Sequence, residues 1–78
     1  MPLYRYYFFD IDGEVRDIRA AEGRNDSVAV EQAREFLAFQ NEHIAIEIWR
    51  GQGFVTGVRR DGSTYGRPPK SIRPDKSR

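Results

Sequence analysis

The chain has 78 residues, 38% of them hydrophobic and 32% charged, which is one small domain and no large-cavity enzyme fold. It has no cysteine, so disulfides, thiolate metal sites and cysteine nucleophiles are excluded. The net charge of +1 hides a split: residues 1–60 carry eight Arg and ten acids, net −2, and residues 61–78 carry net +3.

Residues 4–11 read YRYYFFDI, aromatic and β-branched, and predict a strand. No long apolar run or small-residue cleavage site marks this N-terminus as a signal peptide, and no stretch is long enough for a membrane helix. A cytoplasmic protein is the default expectation. Asp12-Gly13 suits a two-residue hairpin turn, which pairs Tyr7 with Ile18 and Phe9 with Arg16. Residues 14–19 then return as a shorter, polar strand whose charges suit a sheet edge.

Residues 20–26 predict a loop, with Asp26 or Ser27 as the helix cap. Residues 28–40 form the helix, with Ala29, Ala33 and Phe36 on one stripe and Val30 and Leu37 beside it. Asn41 is the stop. Residues 44–50 (IAIEIWR) alternate: Ile44, Ile46 and Ile48 face one way, and Ala45, Glu47 and Trp49 face the other. Gly51-Gln52-Gly53 is a turn, and residues 54–60 are the fourth strand, where Gly57 predicts a bulge or a close approach. From Asp61 the Gly and Pro content predicts a flexible basic tail, residues 61–78, behind a compact domain of residues 1–60.

The order β-β-α-β-β gives a two-layer α+β domain: a four-stranded antiparallel sheet, order 2-1-3-4, with one helix on one face. The other face then meets water or a partner. With the three isoleucines turned to the helix, Glu47 and Trp49 point outward. The first strand leaves both of its faces open as the buried one, because Tyr4/Tyr6/Phe8 and Arg5/Tyr7/Phe9/Ile11 are both apolar enough to lie inside. Either way two or three of its rings lie outside, near Trp49, and exposed aromatic surface marks an interface.

The segments YRYYFFDIDG, NDSVAVEQAREFL and IAIEIWRG together resemble a group of small alphaproteobacterial proteins. Tyr4-Arg5, Tyr7-Phe8, Asp10, Asp12-Gly13, Asp26, Ala29, Ala33, Glu47, Trp49 and Gly51 carry that resemblance. The broader DUF6894 family, small proteins opening MPRYFFDI, is similar over residues 1 to about 60. The resemblance implies this fold and no activity.

Chemistry-bearing patterns are few. Asp10, Asp12 and Glu14 fall short of a calcium loop, because Gly13 falls at position 4 rather than 6 and Ala21 stands at position 12, where the loop needs a bidentate Glu. They read as turn residues, and no metal or cofactor is expected. His43, the only histidine, has no nucleophile or oriented partner in the pattern and reads as a helix-end residue. The glycines at 51, 53 and 57 lie between strands, so they are not a dinucleotide fingerprint.

The sequence therefore predicts a non-enzymatic interaction domain that self-associates or binds another protein through Tyr7, Phe9, Glu47, Trp49 and Val55. The alternative is a nucleic-acid-binding accessory protein, using Arg5, Arg59 and Arg60 on the body and Arg67, Lys70 and Arg73 in the tail. In that alternative Gly66-Arg67-Pro68-Pro69-Lys70 resembles a minor-groove hook, although Tyr65 stands where the usual core has Arg.

Overall fold

The computed structural model describes residues 1–66. Its elements are β1 (Leu3–Phe9), β2 (Val15–Glu22), α1 (Asp26–Ala38), β3 (Ala45–Arg50), β4 (Gly53–Arg59) and β5 (Thr64–Tyr65). They form one antiparallel sheet in the order β2-β1-β3-β4-β5, with the helix packed against one face. The α+β class and the 2-1-3-4 order stand as expected, and a fifth strand extends the sheet.

The core settles which face of β1 is buried. Tyr4, Tyr6 and Phe8 are buried together with Ile46 and Ile48 of β3, Val58 of β4, and Ala29, Ala33 and Leu37 of α1. Alanines at two helix positions let the helix approach the large β1 rings without overfilling the layer. Phe36 meets Tyr6 edge-on at 5.4 Å and Phe8 at 5.5 Å. Beyond the helix, the Arg19 guanidinium of β2 lies 5.5 Å from both the Phe8 and Phe36 rings, extending the cover toward that edge.

Local chemistry moves several boundaries. The β1–β2 connection is five residues, not two, because Asp10 organises it. Its Oδ1 accepts from the amides of Asp12 and Glu14, its Oδ2 accepts from Arg16 Nε, and its own amide donates to Glu14. Gly13 takes a φ of 81°, a conformation that costs glycine little. The longer loop inserts a bulge, so Tyr7 still pairs with Ile18 but Phe9 pairs with Val15 rather than Arg16. β2 runs on through Glu22, into the segment expected as loop.

The helix begins two residues earlier than expected, and its cap is Asn25, whose Oδ1 accepts from Val28 N at 2.9 Å. Ile44 precedes β3 rather than belonging to it. Its side chain is partly exposed, while Ile46 and Ile48 are fully buried. The expected tail boundary at residue 61 is also corrected. Asp61-Gly62-Ser63 turns the chain, with Gly62 N donating to Arg59 O, Ser63 N donating to Asp61 Oδ1, and Arg59 N donating to Ser63 O. Thr64 and Tyr65 then pair with Val58 and Gly57.

Candidate functional site

The sheet face opposite the helix is built in rows, because paired residues of antiparallel strands project to the same side. The central row runs Ile18, Tyr7, Glu47, Gly57, Tyr65 across all five strands. One neighbouring row is Ala20, Arg5, Trp49, Phe54, and the other is Val15, Phe9, Ala45, Arg59. Among the described residues, no second layer lies over these rows.

Rings occupy most of this face. Trp49 meets Phe54 at 5.4 Å and Tyr7 at 6.4 Å, both edge-on. Tyr65 lies over Gly57 so closely that a Cβ there would stand 2.0 Å from the ring. The close approach expected at Gly57 is thus present, while the bulge falls two residues away, at Val55. Arg59 places its guanidinium 4.7 Å from the Tyr65 centroid and donates to Ser63 Oγ at 3.3 Å. Toward the β2 edge, Ile18 is 54% and Val15 42% exposed.

Glu47 sits at the centre of the rows and is only 6% exposed. Trp49 Nε1 donates to its Oε1 at 3.3 Å, the one hydrogen bond to this carboxyl among the described residues. Burial pushes the Glu47 carboxyl above its ordinary range, and the Trp49 hydrogen bond opposes that shift. Burial also raises Tyr65; the nearby Glu47 charge adds to the rise and Arg59 works against it. The face therefore presents a nearly buried acid flanked by aromatic side chains.

Of the expected contact residues, Tyr7, Phe9, Glu47 and Trp49 do share this face. Val55 does not join them. It is the extra residue of the β4 bulge, opposed by no single β3 partner, and it packs against the helix-side core. Of the expected nucleic-acid contacts, Arg5 and Arg59 are on the open face and Arg60 is not. Arg60 turns toward the helix end and donates to the carbonyls of Leu37, Gln40 and His43, while its amide donates to Ile44 O. The Leu37 carbonyl is one that a terminating helix leaves unpaired, and those of Gln40 and His43 belong to the loop that follows, so Arg60 has a structural post. Arg67, Lys70 and Arg73 lie outside the described residues.

Sequence reading misses Tyr65, Phe54 and Ile18 as members of the face. The signal for Tyr65 was an Asp-Gly turn followed by two strand-forming residues, the same kind of cue as Asp12-Gly13. A shallow groove lined by Ile44, Ala45, Arg59, Arg60, Asp61 and Tyr65 borders one rim of the face. Among the described residues no cluster of three or more metal-ligating side chains occurs, and no helix is long and apolar enough to cross a membrane. No protein-family model, curated protein or solved structure matches the chain, so the functional reading rests on this geometry.

Proposed function

We propose that the chain is a non-enzymatic protein-interaction module whose contact surface is the open sheet face and whose partner is a second copy of itself. One observation carries the reading: Tyr7, Phe9, Trp49, Phe54, Tyr65, Ile18 and Val15 line a single sheet face with nothing above them among the described residues. Sheets with an apolar face stack face to face, about 10 Å apart, and a second copy offers a matching surface. Light scattering of the full chain tests it. The expected mass is a dimer, converted to monomer by Trp49→Ala or Tyr7→Ala with the circular dichroism spectrum unchanged. A wild-type monomer at high concentration overturns it.

Arg5 and Arg59 beside these rings support a second reading, single-stranded nucleic acid stacked on the face. The acid at its centre, Glu47, weighs against phosphate nearby. A gel shift at low salt that is lost on Arg5→Ala and Arg59→Ala favours this reading. Deleting residues 67–78, and not 61–78, asks what the basic tail adds while leaving β5 in place.

A further inference from the structure

The charges on the open face are unpaired within the described chain. The five ion pairs among the described residues join Arg16 to Asp10 and to Glu14, Arg19 to Asp17, Arg34 to Glu31 and Arg50 to Asp26. Arg5, Arg59, Glu22 and Glu47 take part in none of them, and of the two acids Glu22 is exposed at the β2 edge, where water satisfies it. Glu47 is withdrawn from water and has a single long hydrogen bond from Trp49. A carboxylate in that position is costly until a cation or further donors reach it.

Two cations stand on the same face. Arg59 is committed to the Tyr65 ring and to Ser63. Arg5 is exposed, sits in the row beside Glu47, pairs across the strands with Trp49, and makes no side-chain hydrogen bond among the described residues. Strand side chains stand roughly perpendicular to the sheet, so Arg5 projects away from the face rather than across it to Glu47.

On this basis, and resting on the self-association reading, we infer that two copies close face to face about a two-fold axis, with each Arg5 guanidinium meeting Glu47 of the partner subunit. In such an interface every contact between two unlike positions is made twice, so one Arg–Glu pair per chain neutralises both buried acids. The guanidinium suits the site. It is planar, weakly hydrated and stacks on rings, and Tyr7 and Trp49 flank the carboxyl.

Sedimentation equilibrium of the full chain tests the pair with Arg5→Ala, Glu47→Gln, the double variant, and Arg5→Lys. Each of the first two weakens the dimer about tenfold or more, and the double variant is no weaker than the worse single, the mark of coupled residues. Arg5→Lys recovers only part of the affinity, because it keeps the charge and loses the planar fork. Effects of the two substitutions that simply multiply overturn the pairing. So does a dimer untouched by Arg5→Ala yet abolished by Tyr7→Ala, which leaves the face as the interface. A monomeric wild type removes the self-association reading itself. Arg5 is exposed, so Arg5→Ala remains a test even where Glu47→Gln perturbs folding.

Discussion

Glu47 lies at a strand position where alternation alone predicts a solvated acid, yet it is almost wholly buried. The difference comes from Tyr65, which reaches the face from beyond the expected end of the domain, and from Gly57, which leaves room for its ring. The outward direction of Glu47 was legible in the Ile-Ala-Ile-Glu-Ile-Trp pattern, and its burial was not. The consequence for stability has a definite sign. A carboxyl raised in the folded state keeps its proton longer there than in the unfolded chain, so stability falls as pH rises through that interval. Glu47→Gln therefore stabilises the monomer at neutral pH and gives little gain at pH 4, measured by urea unfolding at concentrations where the chain is monomeric. Asp10 has the opposite sign. The hydrogen bond from Arg16, with further ones from the Glu14 and Asp12 amides, holds it below the ordinary aspartate range, and its contribution is lost as pH falls through that depressed range. Gly57→Ala places a methyl inside the Tyr65 ring position and should cost about 1–3 kcal/mol. Amide exchange should then show Thr64 and Tyr65 losing protection, and adding Tyr65→Ala should relieve the clash. Unchanged protection in Gly57→Ala would contradict the packing described.

Helix and strands were legible to different degrees for physical reasons. The stripe of Ala29, Ala33 and Leu37 repeats at helical spacing, and it is the buried face. The cap lies just ahead of the expected Asp26 or Ser27 because Asn25, Asp26 and Ser27 are all competent acceptors, and only the backbone path selects Asn25. β5 was not read as a strand because the Gly and Pro residues after it dominate the composition of residues 61–78. The helix ends at Ala38 with Phe39 as the C-cap residue, short of the expected stop at Asn41, and a side-chain cap on its last turn comes from Arg60, 23 residues along the chain from Leu37. Such a cap has no local sequence signature. It binds the end of α1, the loop before β3 and the end of β4 into one corner. Arg60→Ala leaves those carbonyls without that donor and is expected to cost about 1–3 kcal/mol, read as a lower urea midpoint. Arg60→Lys should recover part of it, since one ammonium cannot replace the fork at every carbonyl. A midpoint unmoved by Arg60→Ala would remove this role.

At the scale of the whole molecule, one helix covers one face of a five-stranded sheet, and every aromatic residue except Phe39, exposed at the end of the helix, serves one side or the other. Tyr4, Tyr6, Phe8 and Phe36 serve the core; Tyr7, Phe9, Trp49, Phe54 and Tyr65 serve the other side. A small domain cannot build a second core from the second set, and in the proposed dimer a second copy would supply the missing layer. The fold class and the open face were legible because strand order and helix number follow from the element sequence. The face's full membership was not, because β5 and the β4 bulge decide it. Trp49 is the only tryptophan and lies on the face in question, so its fluorescence reports directly on what covers it. Acrylamide quenching of Trp49 across a dilution series, with the mass followed in parallel, is the most direct test. Quenching that falls as concentration rises, in step with dimer formation, is the result predicted. Quenching that stays constant while the chain remains a monomer at every concentration would contradict the account.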